Sequence, residues 1–259
     1  MQLKLYQIDA FTDKIFHGNP AAVCPLEKWL DDSVLLSIAQ ENNLSETAFY
    51  IQEQNRFHIR WFTPKAEVKL CGHATLATAY VLFNIPGYSK NRIEFNSQSG
   101  ILGVDKEDEW LVLDFPAQYP AACKTPPEII EAFQITPVEC LKAEYYLIVF
   151  NQKKEVASAN PDFEKLKKLE NCEVIITAQS SQYDFVSRFF APNLGIPEDP
   201  VTGSAHTHLA PYWSRKLGKK ELTAKQLSSR GGELKCTLKD DRVLISGKAV
   251  KYMEATITI

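Results

Sequence analysis

The chain has 259 residues, of which 45% are hydrophobic, and its 29 basic and 32 acidic residues leave a formal charge of -3. This length exceeds the usual size of one domain, and the apolar content is enough for two modest cores. Charges of both signs are mixed along the chain, which excludes the basic footprint expected of a nucleic-acid or anionic-membrane partner. No apolar run approaches the roughly 18 residues that span a bilayer, so we expect a soluble, cytoplasmic protein.

The first half of the chain alternates between strand-like and helix-like patterns. Residues 1–6 alternate between apolar and polar side chains as a strand does, and the apolar run after Gly72 lacks a polar face. A helix that is apolar nearly all round is expected to be buried within its domain. In chain order we predict an N-terminal strand, a helix capped by Asp31 or Asp32, strands at 45–52 and 57–62, and the buried helix at 74–83.

Prolines mark the passage from the first half to the second. Pro116, Pro120, Pro126 and Pro127 come at or after the end of a strand-like segment. We therefore expect a first domain at 1–117 and a second at 118–259, whose final strand is a candidate for packing back onto the first domain. The second half is predicted to contain a helix capped by Asp162, strands at 172–179 and 184–190, and a helix from about Ala205 that kinks or stops at Pro211.

One pattern occurs twice, about half the chain apart. The first copy is Arg60–Pro64 (RWFTP), Glu67 and Gly72, and the second is Arg188–Pro192 (RFFAP), Glu198 and Gly203. Each copy has the pattern of a strand, a proline-containing loop and a helix that begins at the glycine. The spacing from arginine to glycine is longer in the second copy, which places an insertion in its loop. The chain is therefore predicted to form two similar α/β halves that face each other across a cleft.

Six cysteines lie at positions 24, 71, 123, 140, 172 and 236. Because the chain is long and shows no export signal, these thiols are expected to be reduced, as in a cytosolic protein. No two of them have the Cys-x-x-Cys spacing, and His206 and His208 have no nearby cluster of further ligands at the spacing of a structural metal site. No metal is expected.

The repeated glycine turn is the first feature with a chemical meaning. The first turn of a helix leaves backbone N–H groups unpaired, and these groups can bind an anion. The chain has one such turn in each half, at Gly72–Ala74 and at Gly203–Ala205, so the two turns together are candidates for gripping one carboxylate-bearing molecule. The alternative is that both glycines only permit tight turns.

Four side chains near these turns can carry a proton. Glu46 begins an apolar strand, where partial desolvation raises a carboxyl pKa, although a solvated or salt-bridged carboxylate is an equal alternative. His73 titrates near neutrality, and Asp199 is either a functional group or a turn residue. Cys71 precedes the first turn, where the helix end favours a thiolate, but its counterpart in the second copy is Thr202, so a two-thiol racemase is disfavoured.

Taken together, the motifs resemble the phenazine-biosynthesis isomerase-like family, whose members share the two-domain fold of diaminopimelate epimerase. The resemblance extends from residue 5 to about residue 250, and the last three of its five stretches are specific. The stretches are Asp9–Thr12 (DAFT) with Gly18–Val23 (GNPAAV), Leu44–Phe49 (LSETAF), Arg60–Pro64 (RWFTP), Leu70–Thr75 (LCGHAT) and Glu198–His206 (EDPVTGSAH).

The resemblance implies an α/β fold of the α+β kind, with two pseudo-symmetric domains. Each domain wraps a barrel-like, mostly antiparallel sheet around a central helix, and the active site lies in the interdomain cleft. The resemblance also implies an isomerase that needs no cofactor and forms a homodimer. The absence of a Gly-x-Gly-x-x-Gly run fits the lack of a nucleotide cofactor.

Site residues are carried over by the same resemblance. In the phenazine enzyme a glutamate of the Ser-Glu-Thr segment moves a proton between two carbons, assisted by the histidine after the first glycine and by an aspartate before the second turn. These residues match Glu46, His73 and Asp199. The residues implied to bind the substrate carboxylate or to line its site are Gly72, Ala74, Gly203, Ser204, Ser45 and Asn19.

The sequence leaves the substrate open, and with it two other functions. One is an epimerase or racemase that depends on Cys71. The other is a non-catalytic protein that uses the cleft to bind a ligand or a partner. The intact set of Glu46, His73 and Asp199 favours an isomerase that acts on a small carboxylate-bearing molecule.

Overall fold

The computed structural model describes residues 1–85, 87–169 and 173–259. Cys172, the first residue of one predicted strand, lies outside the described residues. In the described part of the chain, no helix combines the length and the apolar composition that a membrane crossing requires. The strands are β1 (Gln2–Ala10), β2 (Asn19–Pro25), β3 (Glu46–Glu53), β4 (Arg56–Phe62), β5 (Glu67–Val68), β6 (Arg92–Ser97), β7 (Gly100–Glu107), β8 (Trp110–Pro116), β9 (Ala121–Ala122), β10 (Glu139–Lys142), β11 (Tyr146–Val149), β12 (Val174–Gln179), β13 (Phe185–Ala191), β14 (Ile196–Asp199), β15 (Glu221–Gln226), β16 (Gly232–Lys239), β17 (Arg242–Gly247) and β18 (Ala249–Thr258). The helices are α1 (Asp32–Asn42), α2 (Gly72–Asn84), α3 (Pro127–Phe133), α4 (Lys153–Ser158), α5 (Phe163–Leu166) and α6 (Gly203–Leu217), with a 3₁₀ turn at Pro192–Leu194.

These elements form two compact units. One unit consists of Met1–Asp114 together with Ser246–Ile259, and the other consists of Phe115–Ile245. The C-terminal strand β18 pairs along its length with β1, so the end of the chain belongs to the same unit as its beginning.

The sheet of the first unit is mixed and covers one long helix. Strand β1 pairs antiparallel with β18 and β2, and β2 pairs in parallel with β3. Strand β4 pairs antiparallel with β3 and in parallel with β6, which continues antiparallel to β7. Helix α2 contacts β1, β2, β3 and β18, and ten of its 13 residues are buried. The prediction of a buried helix after Gly72 is confirmed, because a helix without a polar face is stable only when it is covered on all sides.

The second unit repeats the pairing order of the first. Strand β11 pairs in parallel with β12, β12 pairs antiparallel with β13, and β13 pairs antiparallel with β14 and in parallel with β15. Strand β15 continues antiparallel to β16, as β6 does to β7. Helix α6 occupies the position of α2 in this order and contacts β15 and β16. The predicted internal repeat is therefore confirmed in the topology as well as in the sequence.

A bidentate ion pair occurs at the same place in both copies. The Nε and Nη2 atoms of Arg60 lie 2.8 and 2.7 Å from the two carboxylate oxygens of Glu67, and those of Arg188 lie 2.7 and 2.8 Å from Glu198. The hydrogen bonds to Glu67 raise the pKa of Arg60. Each pair joins a central strand to the short strand that leads into the buried helix, and the fork geometry fixes the direction of that connection.

The sequence predicted a kink or a stop of helix α6 at Pro211, but the helix does not stop there. It begins at Gly203 and continues to Leu217, with Pro211 inside it. Proline has no N–H to donate to the carbonyl four residues earlier, which belongs to Thr207. That carbonyl oxygen instead accepts a hydrogen bond from the backbone N–H of Gln118, at 2.9 Å. Because a partner from outside the helix satisfies the freed carbonyl, the helix continues past the proline.

The two long helices carry three buried histidines. His73 lies in the first turn of α2 and is 5% exposed, and His206 and His208 in α6 are fully buried. Burial lowers the pKa of His73 to about 3 and the pKa values of His206 and His208 to about 4, from an ordinary value of 6.5. All three imidazoles are therefore neutral at pH 7, because the charged form loses its hydration in the core.

We expect Arg60→Leu to lower the free energy of unfolding by about 2 kcal/mol or more, because it leaves a largely buried carboxylate without its partner. The side chains of Arg60 and Glu67 are 16% and 20% exposed. Arg56→Leu on the same strand is the matched control. Its pair with Glu94 is 46% and 37% exposed, so the loss should stay below about 1 kcal/mol. Urea denaturation of both variants makes the comparison, and equal losses would contradict this view of the pair.

We also expect the protein to lose stability as the pH falls from 6.5 toward 4. In this range the unfolded chain protonates its histidines, whereas His73 and His206 stay neutral in the folded state down to about pH 3 and about pH 4. Each such histidine lowers the free energy of unfolding by up to about 1.4 kcal/mol per pH unit. Denaturation curves at several pH values give the free energy of unfolding at each pH. This free energy should fall less steeply with falling pH in His206→Gln than in the wild-type protein. An unchanged slope would mean that the folded state protonates this imidazole.

Candidate functional site

Three predicted residues meet at one end of two parallel strands of the first unit. Glu46 is the first residue of β3 and is half-buried, and it stands opposite Ala21 of β2. Asn19, which begins β2, and Ser45, which precedes β3, lie at this same end of the two strands. Asn19 is fully buried and Ser45 is half-buried. Because β2 and β3 are parallel, these polar groups lie together at the N-terminal ends of the two strands.

The first turn of α2 lies beside these strand ends. Its N-cap residue, Cys71, has an extended backbone and makes no capping hydrogen bond with its side chain. The backbone amides of Gly72, His73 and Ala74 begin the helix, and Thr75 is the first residue whose amide bonds back to the Cys71 carbonyl, at 3.1 Å. The N-terminal end of a helix therefore points its amides and its partial positive charge away from the helix body at this position.

His73 stands between a carboxylate and a thiol. Its Nε2 atom lies 3.2 Å from Oε2 of Glu46, and its Nδ1 atom lies 3.5 Å from Sγ of Cys71. Because His73 is neutral, only one of its two nitrogens carries a proton. A proton on Nε2 faces the carboxylate oxygen of Glu46 and leaves Nδ1 as an acceptor toward the thiol. This assignment places the N–H on the side of Glu46, where Nε2 approaches the carboxylate at 3.2 Å without forming an aligned hydrogen bond.

The same three side chains form a group of possible metal ligands in the described part of the chain. One ligand atom from each of Glu46, Cys71 and His73 lies within 4.8 Å of the others. However, Cys71 approaches one nitrogen of the imidazole ring and Glu46 approaches the other. A single ion binds only one ring nitrogen, so one of the other two ligands would have to change position. The described arrangement of the three side chains therefore does not match the coordination of one ion.

In the second unit, Asp199 belongs to a tightly hydrogen-bonded turn. It ends β14, is 9% exposed, and its carboxylate accepts a hydrogen bond of 2.5 Å from the Thr202 hydroxyl. The fully buried side chain of Gln226 donates to the Asp199 carbonyl at 2.8 Å and accepts from the Thr202 amide at 2.9 Å. The backbone of the turn is therefore fixed by an amide side chain from β15.

Gln226 was not among the residues predicted from the sequence, although the pattern of its strand indicates a buried position. Strand β15 alternates between exposed and buried positions, with Leu222 and Ala224 buried, and Gln226 is the next residue on the buried face. A glutamine at a core position of an alternating strand must find hydrogen-bond partners, so it points to a buried polar network.

The second predicted glycine turn begins α6. Its N-cap is Thr202, which occupies the position that Cys71 has in α2, and Gly203 and Ser204 follow in the first turn. The hydroxyl of Tyr145 lies 3.4 Å from Oγ of Ser204, and its ring stacks on His208 at 4.8 Å between centroids. Burial raises the pKa of Tyr145 to about 12, so this hydroxyl remains a hydrogen-bond donor. No motif pointed to Tyr145, because its contact joins residues far apart in the chain.

The structure thus groups the predicted residues within each unit. Glu46 and His73 are in direct contact, and they share one region with the other candidates of the first unit. Asp199 and the α6 turn form a second group, joined through Thr202. The candidates of the first group are Asn19, Ser45, Glu46, Gly72, His73 and Ala74, and those of the second are Asp199, Gly203 and Ser204.

Comparison with known proteins places this geometry in a family. Residues 8–255 match the family model described as phenazine biosynthesis-like protein. An uncharacterised isomerase of Pseudomonas aeruginosa is 51% identical over 257 residues, which cover 99% of both chains. A crystal structure of a PhzF-family phenazine biosynthesis protein from Enterococcus faecalis has a TM-score of 0.98 and 45% identity, with both chains fully covered.

More distant solved structures share the fold alone. A predicted epimerase from Pseudomonas aeruginosa has a TM-score of 0.77 at 20% identity and is covered over 99% of both chains. The expectation of a two-domain, epimerase-like α/β fold is confirmed by these similarities. The match of the family model over nearly the whole chain, together with the close relative, shows that this protein belongs to the phenazine biosynthesis-like family.

Proposed function

We propose that this protein is a cofactor-independent isomerase that moves a proton between two carbons of a small, carboxylate-bearing molecule, with Glu46 as the general acid and base. One observation carries the proposal, which is the 3.2 Å contact of the Glu46 carboxylate with a buried, neutral His73 at the start of a helix. The membership of a family whose curated relatives include named isomerases supports the reaction class.

The first step is binding of the substrate carboxylate at the start of α2. The amides of Gly72, His73 and Ala74 are the donors, and the helix end adds a partial positive charge. No charged side chain is needed for this interaction. The substrate carboxylate then lies within reach of Glu46, because His73 belongs both to the anion-binding turn and to the contact with Glu46.

The second step is proton transfer. Glu46 as carboxylate removes a proton from an acidic carbon next to the bound carboxylate, and the backbone amides stabilise the negative charge that develops there. The same carboxyl group then returns the proton to another carbon. The ring of His73 packs against the Glu46 carboxylate, with Nε2 at 3.2 Å, and limits the movement of Glu46 during both transfers. The charge of His73 does not change.

For the second unit, the proposal assigns matching roles. The first turn of α6, at Gly203 and Ser204, is an anion-binding turn of the same kind, since it also begins a helix without a capping side chain. Asp199 is a second proton-bearing group, held in place by Thr202.

In the first unit, Ser45 and Asn19 line the region of Glu46.

A Cys71-dependent epimerase is the second candidate, and one contact favours it. The thiol lies 3.5 Å from Nδ1 of His73, as in pairs where an imidazole activates a thiol. However, burial lowers the pKa of His73 to about 3, so this imidazole is a poor acceptor for the thiol proton. The corresponding residue Thr202 uses its hydroxyl to bind Asp199. Both facts favour Glu46.

We predict that Glu46→Gln lowers the turnover of an identified substrate by about 100-fold or more, because it removes the general base. The substrate is sought by incubating the protein with a metabolite extract in heavy water and recording, by mass spectrometry, carboxylates that gain deuterium at carbon. Glu53→Gln, an exposed change on the same strand, is the control and should keep wild-type activity. Full activity of a folded Glu46→Gln protein would refute the assignment. Thermal protection of both proteins by a carboxylate that stays chemically unchanged would favour a ligand-binding protein instead.

We further predict that Cys71→Ser retains at least about a tenth of the wild-type turnover, because the thiol is not the base in this mechanism. Cys24→Ser, a second buried thiol of the same unit, is the matched control for packing effects. The initial rates of both variants are compared with the same substrate. A loss in Cys71→Ser as large as that in Glu46→Gln, with Cys24→Ser active, would support the epimerase.

A further inference from the structure

Two cysteines of the second unit, Cys123 and Cys140, face each other across a strand pair. In the antiparallel pairing of β9 with β10, Ala122 stands opposite Leu141, and the next pair along the same register is Cys123 and Cys140. The Cys123 amide donates a hydrogen bond of 2.9 Å to the Cys140 carbonyl. The two sulfur atoms are 3.5 Å apart.

This arrangement has the backbone geometry of a disulfide without the bond. Residues directly opposite in an antiparallel pair have Cα atoms about 4.5–5.5 Å apart, within the range that a disulfide accepts. Both cysteines are free thiols. A small rotation of the two side chains is therefore enough to bring the sulfur atoms to bonding distance, and the strands need not move.

The two thiols differ in access to solvent. Cys123 is exposed, whereas Cys140 is 7% exposed. Burial raises the pKa of Cys140 to about 12, so this sulfur stays protonated at neutral pH. An oxidant in solution therefore meets Cys123 first, and Cys140 lies directly behind it as the second sulfur.

We propose that Cys123 and Cys140 are a reversible redox pair that hydrogen peroxide converts to an intramolecular disulfide. The Cys123 sulfur attacks the peroxide, an S–O bond forms while the O–O bond breaks, and one water leaves. Cys140 then attacks the resulting sulfenic acid, an S–S bond forms while the S–O bond breaks, and the thiol proton leaves with the hydroxyl group as a second water. Two thiols are oxidised and one peroxide is reduced to two waters.

The oxidised state joins the residue that follows β9 to strand β10. Strand β10 runs into the connection that carries Tyr145, whose hydroxyl contacts Ser204 in the first turn of α6. Because the pair is exposed on one side, a thiol reductant reaches it, which makes the bond reversible. The inference does not depend on the proposed isomerase activity.

To test this, the reduced protein is treated with a modest excess of hydrogen peroxide, and the remaining thiols are then blocked. The protein is digested with trypsin without reduction, and the peptides are identified by mass spectrometry. Cleavage after Lys124 and Lys142 separates the two cysteines into the adjacent peptides 107–124 and 125–142, each with one cysteine. We expect these two peptides to appear joined, with a mass lower than their sum by two hydrogen atoms, and to separate after dithiothreitol. Cys24 and Cys236, which are fully buried, should stay reduced.

Two single variants test the order of events. In Cys140→Ser, a dimedone adduct should accumulate on Cys123, because the sulfenic acid finds no second thiol. In Cys123→Ser, Cys140 should remain a free thiol under the same treatment. The proposal is wrong if the wild-type protein shows no joined peptides while Cys123 proceeds to sulfinic acid, or if the joined peptides occur only in covalent dimers.

Discussion

Burial of helix α2 on all sides is the constraint on which the candidate site depends. A helix without a polar face is stable only under cover, and here strands β1, β2, β3 and β18 supply that cover. Its first turn is thereby placed beside the end of β3, where His73 is buried in contact with Glu46. The low pKa of the imidazole, its neutral form and its contacts with a carboxylate and a thiol all follow from this burial.

The second unit shows which parts of the arrangement belong to the fold and which belong to the chemistry. Both copies keep the order of strand pairings and the arginine–glutamate fork that fixes the connection into the helix. The residues at the helix start have diverged, because Cys71 and His73 in α2 correspond to Thr202 and Ser204 in α6. The repeated features belong to the fold of each unit, whereas the side chains at the helix start differ, with a thiol and an imidazole in α2 and two hydroxyls in α6.

Local pattern was enough to predict the repeat, the buried helix and the start of each glycine turn, because these features depend on residues close together in the chain. Pairing across the fold was not predictable in this way. The continuation of α6 past Pro211 depends on Gln118, and the shape of the Asp199 turn depends on Gln226. The position of Cys123 opposite Cys140 likewise depends on how two strands pair, and the spacing of residues within one motif does not indicate that pairing. The two glycine turns pointed to Glu46, His73 and Asp199 as candidates, and the resemblance to the family added Ser45 and Asn19 and gave each residue a role. The distances between them came only from the structure.

The charge state of His73 decides between the chemical roles of its two neighbours. A protonated imidazole would stabilise the charge of an adjacent carboxylate and make it a weaker base, and it would also stabilise an adjacent thiolate. A neutral imidazole does neither. Its Nε2 lies 3.2 Å from the Glu46 carboxylate and its Nδ1 lies 3.5 Å from the Cys71 sulfur, and neither nitrogen adds a positive charge there. Burial of a single ring in the first turn of α2 is therefore the physical reason for proposing a carboxylate base rather than a thiolate base.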